Sequence, residues 1–170
     1  DKLVLYKFST EREIITDQNA GTGAVEFGVY VAVGLVIAAS ISGGGADADT
    51  SVVVSLGRSA AFLGLGLLTL VLYTLYYELT TSYNIHDEIE RDNVAVGVAL
   101  GGNLIAIGLI TFKAIFGEFV TWTDSLAAFL TFAVIGFVLL FVVRRIVDYV
   151  LFPRVSVAHE LAVDRNLGVA

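Results

Sequence analysis

The sequence predicts an all-α, polytopic membrane protein whose four transmembrane helices form parallel two-helix repeats. The first observation behind this prediction is that four runs of 19 or 20 residues contain no charged side chain. At a rise of about 1.5 Å per residue, each run is long enough to cross a hydrocarbon core roughly 30 Å thick. The second observation is a short acidic segment ending in asparagine that occurs three times. The uncharged runs are residues 27–46, 59–77, 93–112 and 125–143.

The composition fits a chain that faces lipid. Apolar residues make up 56% of the sequence and charged residues 16%, whereas a soluble domain has roughly 45–50% and about 25%. The absence of cysteine excludes disulfides, thiolate metal sites and thiol catalysis, and we expect neither a metal nor a cofactor. The net charge of −7 argues against nucleic acid as a partner, because nucleic acid requires a basic footprint.

We call the three acidic segments the first, second and third cassettes. They read EIITDQN (residues 13–19), DEIERDN (87–93) and ELAVDRN (160–166), and their asparagines lie 74 and 73 residues apart. In the second cassette the Glu-Ile pair lies one residue closer to the asparagine than Glu13 does in the first. The repeated unit is therefore a pair of non-identical halves.

The distribution of basic residues predicts the orientation in the membrane. Eight of the ten Lys and Arg residues lie on the same side as the cassettes, and positive charge marks the cytoplasmic side. We therefore expect residues 1–19, 80–93 and 152–166 to be cytoplasmic in the inner membrane, with helices that run alternately out and in. The eight residues are Lys2, Lys7, Arg12, Arg91, Arg144, Arg145, Arg154 and Arg165.

The repeat also predicts a division of the chain. Residues 43–50 are rich in Gly and Asp and are typical of a flexible connector. We expect residues 1–42 to be the C-terminal part of a first four-helix unit, and residues 51–170 to be a second unit that lacks its last helix. The absence of methionine favours a segment of a longer chain.

The cassettes resemble those of a known family, domain of unknown function 350, the YjfL-like bacterial membrane proteins. The resemblance is carried by EIERDNVA at residues 88–95, by Glu160 followed by DRNLG at 164–168, and by Glu13 followed by DQNAG at 17–21. Gln18 departs from the arginine that is usual there. The resemblance implies an integral inner-membrane protein of unsettled activity, sometimes linked to envelope stress.

The three asparagines, Asn19, Asn93 and Asn166, each precede an apolar run, and asparagine is a preferred helix N-cap. We therefore expect them to cap the following helices. Two alternatives stay open from the sequence: a ligand or ion site built from the caps, and an interaction surface.

Glu26 is the strongest candidate for an intramembrane polar site. It lies roughly 10 Å along the helix axis from the first asparagine, and an ionisable group at that depth normally faces a cavity or a partner. Thr22 and Tyr30 share its face by their spacing of four residues. A structural interpretation competes with the functional one, namely a carboxyl group that bonds to a neighbouring helix. The corresponding residue one repeat later is Leu100.

Helix packing can also be predicted. The Gly-xxx-Gly spacing of Gly97 and Gly101 and similar spacings around Gly28 place the first and third spans at the packed centre. Asn103, near the middle of the third span, is expected to bond across helices or to contact a substrate. His86 occupies the cassette position of Arg12, so a basic residue at headgroup level is expected. The fourth span is expected to face lipid with Phe129, Phe132, Phe137 and Phe141.

These observations leave two functional hypotheses and favour no enzyme, because no catalytic motif is present. The first is a membrane scaffold or sensor in the envelope stress response. Its partners would be the lipid bilayer and either further copies of the chain or cytosolic stress-response proteins. The second is a proton- or cation-linked transporter or channel-like module that uses Glu26.

Overall fold

A computed structural model describes residues 4–42 and 51–170, and within these ranges every regular element is a helix. The predicted connector, residues 43–50, lies outside the described residues. The helices that the described ranges contain are α1 (Thr10–Ile15), α2 (Ala20–Ser42), α3 (Val52–Thr80), α4 (Ile85–Glu90), α5 (Val94–Ile115), α6 (Trp122–Ile146) and α7 (Val157–Ala162). A π-helical turn, Val147–Leu151, continues α6.

Helices α2, α3, α5 and α6 are each long and apolar enough to cross a membrane. The predicted all-α fold with four spans is thereby confirmed. The helices extend beyond the uncharged runs, since α2 begins at Ala20 and includes Glu26, while α3 includes Arg58 and Glu78. The difference arises because a hydrogen-bonded cap decides where a helix begins, whereas the sequence was divided at charged residues.

Helices α2 and α5 form the packed centre, as the glycine spacing predicted. The two backbones touch: a methyl group at Gly101 would lie 2.6 Å from the carbonyl oxygen of Ala24, and one at Gly108 would lie 2.8 Å from Cα of Ala32. A methyl group at Gly97 would overlap the carbonyl oxygen of Gly21. Since the contacts advance in the same direction along both helices, α2 and α5 run parallel, with the cassettes at one end.

The other two spans surround this pair. Helix α3 packs against both α2 and α5, and α6 packs mainly on α5. Only 11% of an apolar 18-residue stretch of this last span is buried, so most of α6 faces outward as predicted. The prediction is wrong for Phe129, which is 2% exposed beside Phe62, and for Phe137, which packs on Tyr73.

The three short helices α1, α4 and α7 were not predicted from the sequence. Each has six residues, too few for a hydrophobic period to be visible. Each ends three or four residues before the asparagine of a cassette, so a cassette consists of the end of a short helix and the turn that leads into the next segment of the chain.

Two adjacent glycines allow a matched test of the α2–α5 contact. We expect Gly101→Ala to destabilise the fold by about 1–3 kcal/mol, because the added methyl group overpacks a backbone contact. Gly102 is exposed and a methyl group there meets nothing within 4 Å. Gly102→Ala should therefore leave stability unchanged or raise it by up to about 1 kcal/mol through helix propensity.

The measurement is reversible unfolding of the two variants and the parent chain in mixed detergent micelles. Equal stability of the two alanine variants would contradict the close α2–α5 contact.

Candidate functional site

The three cassettes share one backbone geometry. A capped short helix leads into each of them. The residue before that helix, Ser9, Asn84 or Ser156, accepts a hydrogen bond through its side chain from the backbone N–H three residues on. The residue before each cassette asparagine then adopts the left-handed conformation, which ends a helix and turns the chain. These residues are Gln18, Asp92 and Arg165, with φ of 52°, 55° and 52°.

One glutamate per cassette holds the asparagine at two points. The backbone N–H of Asn19 donates to the carbonyl oxygen of Glu13 at 2.9 Å, and its side-chain Nδ2 donates to the carboxylate of the same Glu13 at 2.8 Å. Glu88 holds Asn93 in the same way, with both hydrogen bonds at 3.0 Å. Glu160 holds Asn166 with both hydrogen bonds at 2.8 Å.

This pair of hydrogen bonds to one glutamate explains the one-residue difference between the cassettes. The second cassette closes the turn between Asn93 and Glu88, five residues apart, which is the bond of a Schellman motif. The first and third close it over six residues, with one extra residue in the turn. The glutamate therefore keeps its role although its spacing from the asparagine changes.

The asparagine side chains also join successive cassettes. Nδ2 of Asn19 donates to the carbonyl oxygen of Ile89 in the second cassette at 2.7 Å. Nδ2 of Asn93 donates to the carbonyl oxygen of Leu161 in the third cassette at 2.9 Å. Both donors are buried, with 4% and 0% of their surface exposed. Each bond therefore runs from one cassette to the next in chain order.

Asn19 and Asn93 stand at the N-termini that were predicted for them. Their Oδ1 atoms accept hydrogen bonds from the N–H groups of Thr22 at 2.7 Å and Val96 at 3.2 Å, which fixes the first turn of α2 and of α5. Asn166 differs, because its Oδ1 accepts from Gly168 at 3.0 Å in a turn and its side chain is exposed.

Glu26 and Thr22 lie together on the buried side of α2, with 5% and 0% of their surface exposed. The Oε1 atom of Glu26 and the Oγ1 atom of Thr22 are buried and have no hydrogen-bond partner among the described residues. Tyr30 does not join them, since it is 71% exposed. Two steps of four residues rotate a helical position by roughly 80°. That rotation carries Tyr30 away from the face of Thr22.

Asn103 forms hydrogen bonds through both ends of its side-chain amide. Its Nδ2 donates to the carbonyl oxygen of Ala99 at 2.8 Å, and its Oδ1 accepts from the hydroxyl of Tyr73 on α3 at 2.9 Å. This is the cross-helix bond that the sequence predicted. Asn103 and Tyr77 line a cleft of about 670 Å³ beside α6 and the third cassette. Glu26 is not among the lining residues of that cleft, so the structure does not bring the two candidate polar residues together.

His86 is buried within the protein and not exposed at its surface. Its ring is 2% exposed, with Nε2 3.1 Å from the carbonyl oxygen of Val4 and Nδ1 3.3 Å from a carboxylate oxygen of Glu78. The segment before α1 covers it, with Tyr6 in edge contact with the imidazole. Arg12 is exposed and pairs with Asp17 at 3.3 Å, as a surface residue would.

Metal binding finds no support in the part of the chain that the structure describes, where no group of three or more His, Asp or Glu side chains could hold an ion. The cassette chemistry is instead that of amide donors and backbone or carboxylate acceptors. Sequence reasoning missed the paired role of Glu13, Glu88 and Glu160. The conserved order of glutamate before asparagine, despite a changing spacing, was the signal that would have revealed it.

Comparisons with known proteins agree on a membrane protein. A family model described as Domain of Unknown Function (DUF350) matches residues 51–170. A UPF0719 transmembrane protein of Aquifex aeolicus is 25% identical over 171 residues, which cover 100% of this chain and 61% of that relative. The UPF0719 transmembrane protein YshE of Bacillus subtilis is 31% identical over 107 residues, which cover 63% of this chain and 75% of that relative. The chain thus spans about three fifths of the Aquifex relative, and no solved structure matches it.

The burial of Asn93 and the exposure of Asn166 predict effects of different size for the same substitution. Asn93→Ala removes a helix cap and leaves the carbonyl oxygen of Leu161 without its donor, so we expect a loss of about 2–4 kcal/mol in stability. Asn166→Ala should cost less than about 0.5 kcal/mol within a single copy. The free energy of unfolding of both variants is measured in mixed micelles. A small effect at Asn93 would contradict a stabilising hydrogen bond from Asn93 to the third cassette.

Proposed function

The chain belongs to the Domain of Unknown Function 350 family of transmembrane proteins, and we propose that it is a non-enzymatic membrane scaffold or sensor. In this role the cassettes recruit cytosolic partner proteins, and the spans anchor them in the inner membrane. The link to the envelope stress response rests on the family resemblance of the cassettes.

The observation that carries the proposal is the exposed acidic surface of the second cassette and of α1, the short helix that leads into the first cassette. Glu11, Asp87 and Glu90 are exposed, and within residues 4–42 and 51–170 none of them forms an ion pair. The glutamates that hold the cassettes together, Glu13 and Glu88, are buried or half-buried. Carboxylates on a fixed backbone are available to a partner with a basic face, because charge complementarity steers such an encounter.

Positive charges near the cassettes support the proposed orientation. Arg144 lies over the ring of Tyr77 at 4.8 Å and Arg145 over the ring of Phe141 at 4.9 Å, close to the end of α6. Cations and aromatic rings of this kind mark the interface between lipid and water. Their clustering on one side supports a cytoplasmic position for all three cassettes.

The packing of α2 on α5 favours a scaffold over a pore between these two helices. Their backbones are in contact near Gly97, Gly101 and Gly108, so the two helices are closely packed at these points. A permeation path would have to run elsewhere in the molecule.

Charge reversal of the exposed acids tests recruitment. We expect the triple variant Glu11→Lys, Asp87→Lys, Glu90→Lys to lower the recovery of cytosolic partners about tenfold in affinity purification from native membranes, because like charges oppose docking. Membrane insertion and thermal stability should stay unchanged, since none of the three carboxylates holds the fold.

The matched control is Glu118→Lys, an exposed acid in the loop between α5 and α6, on the opposite side of the membrane. It should leave recovery at the parent level. Equal recovery with the triple variant would refute recruitment through the cassettes.

A second candidate function rests on Glu26. Its carboxylate oxygen is buried without a partner inside a membrane span, beside an equally unbonded Thr22 hydroxyl. Such a group normally marks an ion or proton pathway. The alternative is therefore a proton- or cation-linked transporter or channel-like module that uses Glu26.

Proteoliposomes with a pH-sensitive dye and a Na⁺ or K⁺ gradient test this alternative. If the chain carries protons or cations, Glu26→Gln should lower the flux by at least about tenfold, a loss of roughly 1.4 kcal/mol or more in the barrier. Glu118→Gln, the same change at an exposed site, should leave the flux unaltered. Flux at the level of protein-free vesicles, or equal flux in both variants, would eliminate the transport hypothesis.

A further inference from the structure

Arg58 is a cation within a membrane-spanning helix, at the end of the bundle that lies away from the cassettes. It stands in the second turn of α3 and directly precedes the uncharged run 59–77, and Glu78 follows that run. At a rise of about 1.5 Å per residue, Arg58 and Glu78 are about 30 Å apart along the helix axis, which is the thickness of a hydrocarbon core. Arg58 therefore lies at the boundary between the hydrocarbon and the lipid headgroups.

The guanidinium group of Arg58 has no anionic partner in the part of the chain that the structure describes. Its Nε atom is buried and has no hydrogen-bond partner there. None of the ion pairs within residues 4–42 and 51–170 includes Arg58. Asp124, an acid at the same end of the bundle, accepts instead from the hydroxyl of Thr121 at 2.8 Å. Because a buried donor without an acceptor costs stability, the Nε group requires an explanation.

Aromatic rings surround this guanidinium group. Its Cζ atom lies 4.0 Å from the centroid of the Phe119 ring, so one face of the planar group is covered. Phe119 packs edge to face on Trp122, with ring centroids 5.1 Å apart. Trp122 stacks on Phe62, which follows Arg58 by one turn of α3, with centroids 6.3 Å apart and 6° between the ring planes. We call these four residues the Arg58 site.

The Arg58 site is a product of the tertiary fold. Its residues come from α3, from α6 and from the loop between α5 and α6. A ring over the face of a guanidinium group leaves the N–H groups at the edge, which all point outward in one plane. Such an edge pairs with the oxygens of a phosphate through two parallel hydrogen bonds.

We propose that Arg58 binds the phosphate group of a phospholipid, with Phe62 and Trp122 beside the upper part of its acyl chains. Phospholipid phosphates lie at the level of the membrane where Arg58 stands. The phosphate supplies the acceptor that the Nε group lacks among the described residues, and the rings supply an apolar wall. Trp122 is 47% exposed, so part of its ring is accessible to a bound lipid.

The burial of Nε distinguishes this site from an arginine that only extends into water. A snorkelling arginine buries its methylene groups and keeps its charged head in water. In Arg58 an atom of the head itself is buried. Lys113, on the last turn of α5 at the same end of the bundle, provides the contrast, because it is exposed and contacts no aromatic ring within the described ranges.

Trp122 is the only tryptophan in the chain, so its fluorescence reports on the Arg58 site. The chain is purified in dodecyl maltoside, whose headgroup carries no phosphate. It is then titrated with phosphatidylglycerol that carries brominated acyl chains, because bromine quenches a nearby tryptophan. Diacylglycerol with the same brominated chains is the reference that lacks the phosphate. We expect phosphatidylglycerol to quench Trp122 at an about tenfold lower mole fraction, the preference that one hydrogen bond to a charged group supplies.

Three variants assign the preference to the guanidinium group. Arg58→Gln should quench equally with both lipids, because a neutral amide does not attract phosphate. Arg58→Lys keeps the charge but loses the planar fork, so its preference should fall between those of Arg58→Gln and the parent. Lys113→Gln removes the exposed cation at the same end and should keep the parent preference. The helix content of each variant is compared with the parent by circular dichroism.

Equal quenching by the two lipids in the parent chain would overturn the proposal, however the variants fold. An unchanged preference in Arg58→Gln would also overturn it, since another group would then bind the phosphate. Loss of the preference in Lys113→Gln would show a general effect of positive charge and would overturn a specific site.

Inorganic phosphate distinguishes a lipid from a free ion. It is added to the quenched complex against sodium chloride of the same ionic strength, and we expect the quenching to remain, because the ion lacks the chains that contact the aromatic rings. Reversal of the quenching by millimolar phosphate would assign the site to the free ion and overturn the assignment to a phospholipid.

Discussion

The structure depends on the side-chain amide of the cassette asparagine. In Asn93 this group caps α5 with its oxygen and uses its nitrogen to hold Glu88 and the carbonyl oxygen of Leu161. Asn93 is 0% exposed, and an unpaired polar group at such a buried position would cost about 1–3 kcal/mol of stability. Few other side chains combine donor and acceptor over so short a reach. Aspartate would repel Glu88, and serine has one donor.

The hydrogen bonds that Asn19 and Asn93 donate to the next cassette set the register of the helices. Asn19 caps α2 and donates a hydrogen bond to the second cassette, and Asn93, at the end of that cassette, caps α5. The starts of the two parallel helices are therefore fixed relative to each other. Backbone contact between α2 and α5 tolerates little error, because a shift of one residue in either direction would bring a valine to the position of Gly97. Polar bonds at the membrane surface therefore determine which small residues meet within the lipid.

The sequence was informative where one pattern determines one structure. Charge-free length predicted the spans, glycine spacing predicted the α2–α5 pair, and the asparagines predicted two helix starts. It was less informative where a side chain has several partners. The bonds from Asn19 to Ile89 and from Asn93 to Leu161 end on backbone carbonyls, which have no signature in the sequence. The exposure of Tyr30 and the burial of His86 were missed for a related reason, because spacing gives a helical face but not the neighbour that covers it.

The amide network also isolates Glu26 as a residue that the fold does not require. Its counterpart one repeat later is Leu100, which is 2% exposed, and Glu26 itself is 5% exposed. The two pseudo-equivalent positions are both buried, yet one carries an apolar side chain and the other an acid. Leucine at this position keeps the α5 half of the repeat packed, so packing alone supplies no reason for a carboxylate in α2. The burial of an ionisable group without a hydrogen-bond partner for Oε1 opposes folding, whereas every cassette glutamate is bonded to its asparagine. The absence of a hydrogen-bond partner for Oε1 among the described residues separates Glu26 from the cassette glutamates, each of which bonds to its asparagine.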